Sequence, residues 1–258
     1  CKFINKDLPN AQDPSLSVKN WESVSVPHDW AIKEPFDKEV DKQVVAIKQD
    51  GEKIPTEKTG RTGALPHIGV GWYRKSLDVS EVKSDSKVIL LFEGAMSDAQ
   101  VFINGEKVGG WPYGYNYFYF DISSFLSSDQ ENILAVRLEN LPQSSRWYPG
   151  AGLYRKVQLI VKDKISFNQW GQYITTPYVT PELAKVKISS IVSSKNTKVE
   201  AVIKDENGVV VAKKTTAQAY GNEFELEIPI ENPKIWDIDT PHLYTAKMNL
   251  YQDDELKD

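Results

Sequence analysis

Short apolar segments with the period of a β-strand, and no long helical stripe, are the feature that most constrains the fold of this chain. In residues 224–228 (FELEI) apolar and acidic side chains alternate strictly, whereas residues 88–92 (VILLF) form a continuous apolar run. Alternation indicates a half-buried strand, and a short continuous run indicates a strand buried on both faces. Because no segment keeps apolar residues at helical spacing over three turns, the sequence predicts an all-β protein.

Turn signals separate these strands into hairpins. Asn104-Gly105 follows the strand-like residues 100–103 (QVFI), and both residues accept the positive φ angles that a two-residue hairpin turn requires. Asp205-Glu206-Asn207-Gly208 separates residues 199–203 (VEAVI) from residues 209–211 (VVV) in the same way. Repeated strand–turn–strand units of this kind favour antiparallel β-sandwiches.

A change of composition near residue 163 predicts a domain boundary. Residues 1–163 are rich in aromatic residues, glycine and proline, and we predict that they form a jelly-roll β-sandwich. Residues 164–258 are lysine-rich and alternate regularly between turns, which is typical of an immunoglobulin-like β-sandwich. A chain of 258 residues is long enough for two ordinary domains.

The charge balance excludes one class of partner. The chain has 31 Lys and Arg against 36 Asp and Glu, a net charge of −5, without a long run of either sign. A nucleic-acid-binding protein would carry a basic patch, so we predict no nucleic-acid partner. No apolar stretch approaches the ~20 residues of a membrane-spanning helix, and no signal segment opens the chain, so we predict no membrane span.

Cys1 is the single cysteine, which excludes a disulfide within the chain. Three roles fit it: the boundary of an expressed fragment, a residue of a terminal strand, or the lipidated first residue of a processed bacterial lipoprotein. On the last of these roles, a bacterial periplasmic or secreted location is favoured over a cytoplasmic one.

Three motifs resemble the sugar-binding domain that opens family 2 glycoside hydrolases, a group of β-galactosidases, β-glucuronidases and β-mannosidases. They are Val26-Pro27-His28-Asp29-Trp30, residues 69–74 (GVGWYR) and residues 145–155 (SRWYPGAGLYR). The segment from Trp236 to residues 241–244 (PHLY) resembles the end of the second domain of the same family. The resemblance covers nearly the whole chain and implies a retaining, β-galactosidase-like enzyme that hydrolyses O-glycosidic bonds in carbohydrate metabolism.

The resemblance also implies that the catalytic residues lie elsewhere. Family members place two glutamates on a (β/α)8 barrel, the general acid directly after an asparagine. The single Asn-Glu pair here is Asn222-Glu223, and the alternation that follows puts Glu223 on the solvent face with Glu225 and Glu227. We therefore expect that the barrel is absent from this chain, that the chain alone is inactive, and that it meets the β-glycoside substrate together with the missing barrel.

Substrate positioning is the role that remains for this chain. In family members a residue on the loop matching residues 140–155 touches the sugar in the terminal subsite, and alignment on residues 151–155 (AGLYR) places that contact at Arg146. The best-known members carry an aspartate there, whereas arginine has five N–H donors and no acceptor. The change puts in doubt a sodium site and favours donor contacts to hydroxyls or a carboxylate. A salt bridge at a domain interface is the alternative.

Three further residues are candidates for substrate binding. Asp29 can accept hydrogen bonds from sugar hydroxyls or orient Arg146, or it can cap local amides in a turn. Trp147 can stack on a pyranose face or pack its loop against the sandwich. Arg61 follows a charged surface excursion between residues 36 and 60 and can reach the sugar site.

The remaining motifs leave other functions open. The aromatic run at residues 111–117 (WPYGYNY) fits either a carbohydrate platform or the turn packing of a jelly roll. The histidines, which are His28, His67 and His242, have no partners at metal-ligand spacing, so we predict no metal and no cofactor. A free-standing carbohydrate-binding protein and an adhesive two-sandwich protein are the alternative functions, and the family resemblance also allows a homo-oligomer.

Overall fold

The chain divides into two units, Cys1–Val161 (unit 1) and Lys162–Asp258 (unit 2). The computed structural model describes residues 1–44, 53–54, 57–58, 67–145, 147–217 and 221–258. In these ranges both units consist of β-strands joined by turns, with two 3-10 turns at Ala31–Lys33 and Ser123–Phe125. The all-β prediction is therefore confirmed. No helix within the described ranges has the length and apolar character to cross a membrane.

Unit 1 is a jelly-roll sandwich of antiparallel strands. In chain order its described strands are β1 Lys2–Ile4, β2 Glu22–Ser23, β3 Gln43–Val44, β4 Glu57–Lys58, β5 Gly69–Leu77, β6 Lys87–Phe92, β7 Ala99–Ile103, β8 Glu106–Trp111, β9 Phe118–Asp121, β10 Asn132–Asn140 and β11 Val157–Lys162. A six-stranded sheet has the order β2-β1-β5-β10-β7-β8, a three-stranded sheet has the order β11-β6-β9, and β3 pairs with β4.

The core of unit 1 contains side chains from both of its larger sheets. Val101 and Val136 of the six-stranded sheet are fully buried together with Phe92 and Phe118 of the three-stranded sheet. The rings of Phe92 and Phe118 stack, with centroids 4.7 Å apart and planes 8° apart. Burial of each such side chain contributes about 1.5–3 kcal/mol to folding, so this shared core holds the two sheets together.

Unit 2 is an immunoglobulin-like sandwich, as the alternation predicted. In chain order its described strands are β12 Phe167–Val179, β13 Leu183–Val192, β14 Lys198–Lys204, β15 Val210–Ala217, β16 Glu223–Glu231, β17 Thr245–Gln252 and β18 Glu255–Leu256. One sheet has the order β12-β13-β16 and the other has the order β15-β14-β17-β18. Alternate residues of β13, β14 and β16 supply most of the buried core between them.

Strand β16 shows how the sequence pattern becomes packing. Phe224, Leu226 and Ile228 are buried, and the glutamates between them are exposed. Glu225 pairs with Lys187 at 3.0 Å. Pairs as exposed as this one add about 0–1 kcal/mol, so burial of the apolar face accounts for most of the strand's stability. Glu223 lies on the exposed face, where the sequence placed it.

Both predicted hairpin turns are present. Asn104 and Gly105 join β7 to β8 with φ angles of 53° and 87°. Between β14 and β15, the carboxylate of Asp205 accepts hydrogen bonds from the backbone N–H groups of Asn207 and Val209 at 3.0 and 2.9 Å. Residues that tolerate positive φ or bond to their own backbone thus set these connections locally.

Candidate functional site

Residues 151–153 form a short extended segment that is tied to the 28–30 segment of unit 1. The N–H of His28 donates to the carbonyl of Leu153 at 2.7 Å, and the N–H of Trp30 donates to the carbonyl of Ala151 at 2.9 Å. Two of the motifs found in the sequence are therefore neighbours in the fold. We call residues 151–153, bonded in this way to residues 28–30, the base of the loop. The loop itself precedes residue 151 and carries Trp147.

Gly152 lies at the most crowded point of this base. It exchanges two backbone hydrogen bonds with Met96, each of 2.9 Å. Its φ angle is +135°, and a Cβ atom added there would lie 2.4 Å from the carbonyl oxygen of His28 and 2.7 Å from Oη of Tyr73. Both the backbone angle and the lack of space require glycine at this position.

Asp29 connects the two segments through its carboxylate. Its Oδ1 atom accepts hydrogen bonds from the N–H of Ala31 at 3.0 Å and from the N–H of Ala151 at 2.9 Å. Its Oδ2 atom accepts from the hydroxyl of Tyr148 at 2.7 Å. The bond to Ala31 is the local capping interaction that the sequence analysis gave as one role of Asp29. The bonds to Ala151 and Tyr148 add two long-range contacts. Each carboxylate oxygen can accept more than one hydrogen bond, so the bonds within the protein leave Asp29 able to bind a sugar hydroxyl. The sugar-binding role of Asp29 stays a prediction.

Three ring groups with shifted pKa values complete the base of the loop: the buried Tyr73 and His28 and the half-buried Tyr148. Burial raises the pKa of the Tyr148 hydroxyl, and the hydrogen bond to Asp29 raises it further, so Tyr148 is a proton donor. Burial also raises the pKa of Tyr73 and lowers the pKa of His28. Nδ1 of His28 lies 2.8 Å from Oη of Tyr73. These shifts favour the neutral form of each group, and the groups support the loop.

Trp147 projects from the anchored loop toward solvent. Its side chain is 55% exposed, and its indole N–H donates to the hydroxyl of Tyr115 at 2.7 Å. The two rings have centroids 6.3 Å apart and planes inclined at 54°. Trp147 is therefore oriented by a hydrogen bond while a large part of its surface stays open to solvent.

Tyr113 and Tyr115 extend this surface. Their rings meet edge to face at 5.5 Å, and the side chain of Tyr113 is 55% exposed. The hydroxyl of Tyr154 donates to the carbonyl of Gly114 at 2.8 Å and so fixes the turn that carries both tyrosines. We call Tyr113, Tyr115 and Trp147 the aromatic cluster. Rings of this kind, fixed at their polar ends, suit contact with the C–H face of a sugar.

The run at residues 111–117 thus divides between the two interpretations that the sequence allowed. Trp111 stacks on the buried Phe118, with centroids 5.9 Å apart and planes 16° apart, which is turn packing. Tyr113 and Tyr115 belong to the exposed aromatic cluster instead. The contact between Tyr115 and Trp147 could not be found from the sequence, because the two residues are 32 positions apart on different loops.

The structure describes two of the four residues predicted to bind substrate. Asp29 and Trp147 lie at the same loop of unit 1, since Asp29 bonds to Tyr148, the neighbour of Trp147. Arg146 and Arg61 lie outside the described residues. Among the residues that are described, no group of three His, Cys, Asp or Glu side chains could hold a metal ion.

Two family models match the chain in succession. The model of the sugar-binding domain of glycosyl hydrolases family 2 matches residues 5–163. A second model, described as glycosyl hydrolases family 2, matches residues 172–258. The first match alone covers more than half of the chain.

Similar proteins include a β-galactosidase and a β-glucuronidase. The β-galactosidase BoGH2A of Bacteroides ovatus is 33% identical over the whole of this chain, which spans 29% of that protein. A β-glucuronidase of Formosa agariphila is 26% identical, again over the whole chain and 28% of the relative. The chain thus spans less than a third of the length of these relatives.

Solved structures agree with the sequence comparisons. A β-glycosidase from Bacteroides vulgatus matches with a TM-score of 0.81 and 27% identity, over all of this chain and 31% of that one. A family 2 member from Bacteroides cellulosilyticus matches with a TM-score of 0.79 and 28% identity, over all of this chain and 34% of that one. The family resemblance of the motifs is confirmed, and the chain belongs to glycosyl hydrolase family 2.

Proposed function

We propose that this chain is the non-catalytic N-terminal part of a retaining β-glycosidase that acts on β-galactosides. The β-galactosidase of Bacteroides ovatus, at 33% identity over the whole chain, supports the galactoside, and a β-glucuronide is the second candidate because putative β-glucuronidases of Formosa agariphila are 30% identical. In this proposal the paired carboxylates belong to a part of the enzyme outside the chain. Unit 1 contributes to the mouth of the active site and positions the sugar.

The exposed but oriented ring of Trp147 carries this proposal. Trp147 keeps 55% of its surface exposed and is at the same time oriented by its bond to Tyr115. Pre-orientation of a binding group lowers the entropy that is lost when a ligand binds. Arg146 is the neighbour of Trp147 in sequence. The resemblance to family members implies that its guanidinium N–H groups donate to hydroxyls of the sugar.

Removal of the Trp147 ring from the full-length enzyme is the test of this role. We expect Trp147→Ala to lower kcat/KM for a nitrophenyl β-galactoside about tenfold, which corresponds to about 1.4 kcal/mol of transition-state binding. The stability of the 258-residue chain should change by about 0.5 kcal/mol or less, because the ring is exposed.

Two matched variants test whether the effect of Trp147→Ala comes from a lost contact between the ring and the sugar. Trp236 is 57% exposed in unit 2, and Trp236→Ala should leave kcat/KM unchanged. Trp147→Phe keeps an aromatic ring but loses the bond to Tyr115, so its activity should lie between those of wild type and Trp147→Ala. If Trp147→Ala, Trp147→Phe and Trp236→Ala all had the kcat/KM of wild type, the aromatic cluster would not position substrate.

The 258-residue chain by itself should not hydrolyse a nitrophenyl β-galactoside above the uncatalysed rate. Retaining hydrolysis needs two carboxyl groups about 5–5.5 Å apart, and Glu223 is on an exposed strand face beside other surface glutamates. The measurement is release of nitrophenol from the purified chain, with Glu223→Gln as the control. Turnover that this substitution abolishes would contradict the proposal that the chain is non-catalytic.

A further inference from the structure

A groove of about 420 Å³ lies on unit 2, along its three-stranded sheet. Its exposed lining is aromatic, aliphatic, hydroxyl and carboxylate: Trp170, Tyr173, Ser189, Ile191, Glu223 and Glu225. The strand register explains why these groups lie together. Tyr173 of β12 is opposite Ser189 of β13, and Ser189 is opposite Glu225 of β16. One row across the sheet thus presents a ring, a hydroxyl and a carboxylate on the same face.

Trp170 enters this groove from a β-bulge. The pairing of β12 with β13 shifts between Phe167 and Gln172, and Trp170 within the shift has a φ angle of 56°. Next to it, a Cβ on Gly171 would lie 3.0 Å from the carbonyl oxygen of Ile191, so the two backbones approach closely. Positive φ is a genuine outlier for a bulky side chain, and such outliers cluster at functional sites.

Protection of the sheet edge does not account for this tryptophan. β12 is an edge strand, and a bulge alone discourages pairing with another chain. Glycine or asparagine would adopt the left-handed conformation at lower cost. Burial does not offset that cost either, because the Trp170 side chain is 54% exposed and that of Tyr173 is 71% exposed. The bulge aims a large ring at solvent, as bulges near binding sites do.

The charges around the groove restrict its ligand. Glu223 and Glu225 line it, and Lys187 pairs with Glu225 at 3.0 Å. Carboxylates accept hydrogen bonds from hydroxyl groups and repel anions, which disfavours uronates and nucleic acid. The groove therefore combines two exposed rings with carboxylates that accept hydrogen bonds from hydroxyl groups. This combination matches a ligand that has apolar C–H faces and many hydroxyl groups.

We propose that this groove is a second carbohydrate site, which binds a neutral oligosaccharide. Trp170 and Tyr173 stack on its sugar rings, and Glu223 and Glu225 accept hydrogen bonds from its hydroxyls. The site is on unit 2 and shares no residue with the aromatic cluster of unit 1, so it does not depend on the function proposed above. It would hold a chain of sugars near the enzyme without cleaving it.

Calorimetric titration of the 258-residue chain tests the site. The probes are the β-1,4-linked tetrasaccharides of glucose, galactose and mannose, together with the glucose tetramer oxidised to uronate at every C6. We expect at least one neutral tetramer to bind at millimolar concentration and the oxidised tetramer to bind about tenfold more weakly or not at all. Trp170→Ala and Tyr173→Ala should each weaken binding about tenfold, as loss of a central aromatic contact does.

Matched variants assign the binding to the groove. Tyr178 is 48% exposed on the same strand but does not line the groove, so Tyr178→Ala should bind like wild type. Trp236 is 57% exposed on unit 2 and does not line the groove either, so Trp236→Ala should also leave this binding intact. Trp170→Tyr, which keeps a ring, should bind more tightly than Trp170→Ala, and circular dichroism should show the same strand content in all variants.

Three results would overturn the site. The first is that no neutral tetramer binds, and the second is that binding survives both Trp170→Ala and Tyr173→Ala. The third is concentration-dependent dimerisation in sedimentation velocity that Trp170→Ala abolishes, since a second copy of the chain would then occupy the groove. If the second result is accompanied by loss of binding in Trp147→Ala, the sugar belongs to unit 1 and not to this groove.

Discussion

Gly152→Ala is expected to destabilise unit 1 by about 4 kcal/mol, with about 2 kcal/mol from backbone strain and about 2 kcal/mol from overpacking. The φ angle of Gly152 is +135°, and the new methyl group would lie 2.4 Å from the carbonyl oxygen of His28. Because that oxygen belongs to backbone that is itself hydrogen-bonded, it cannot move aside cheaply. The Tm of unit 1 should fall by about 8–16 °C in scanning calorimetry.

Gly208→Ala is the matched control for this prediction. Gly208 also has positive φ, at +78°, but a Cβ there meets nothing within 4 Å. Only the conformational cost of about 1–2 kcal/mol applies to it. The comparison therefore separates the cost of the angle from the cost of the contact. Similar losses of stability in the two variants would show that the space around Gly152 opens without penalty.

Asp29→Ala is expected to cost about 3 kcal/mol of unfolding free energy. The substitution removes the acceptor of three hydrogen bonds, from the N–H groups of Ala31 and Ala151 and from the Tyr148 hydroxyl. Hydrogen bonds to a charged group contribute about 1.5–3 kcal/mol each, and the half-exposed position of Asp29 reduces their sum. The measurement is the shift of the unit 1 transition in the same calorimetric experiment.

Two controls define what Asp29 contributes. Asp29→Asn keeps an acceptor for both N–H groups and should lose only about 1 kcal/mol. Asp13→Ala removes an exposed carboxylate that accepts hydrogen bonds from the nearby Ser15, and its effect should stay near 0.5 kcal/mol. If Asp29→Ala left stability unchanged but lowered kcat/KM of the full-length enzyme, Asp29 would be a substrate ligand and not a structural connection.

The two predictions also bear on the proposed function. Gly152 and Asp29 hold the base of the loop, and Trp147 presents its ring at the exposed part of the same loop. Substitutions at the base should therefore lower stability first, with activity lost as the loop detaches. Substitution of Trp147 should lower activity at unchanged stability. The contrast distinguishes a residue that supports a site from one that contacts the sugar.

The period-two alternation and the turn residues determined the parts of this protein that are local. The buried and exposed residues of β16, the continuous apolar core of β6 and the Asn104-Gly105 turn all follow the sequence prediction. Alternation is sufficient because successive side chains in a strand point to opposite faces whatever the strand pairs with. The motifs at residues 26–30 and 145–155 indicated the family for a different reason, their close resemblance to known members.

Only the tertiary structure decided which distant residues meet. The Asp29–Tyr148 bond joins residues 119 positions apart, and the Trp147–Tyr115 bond joins loops 32 positions apart. The bulge at Trp170 likewise appears only when β12 is laid against β13. Alternation specifies the face of each residue but not the partner or register of its strand, and these depend on how the whole sandwich packs. The aromatic cluster and the groove of unit 2 both depend on that packing.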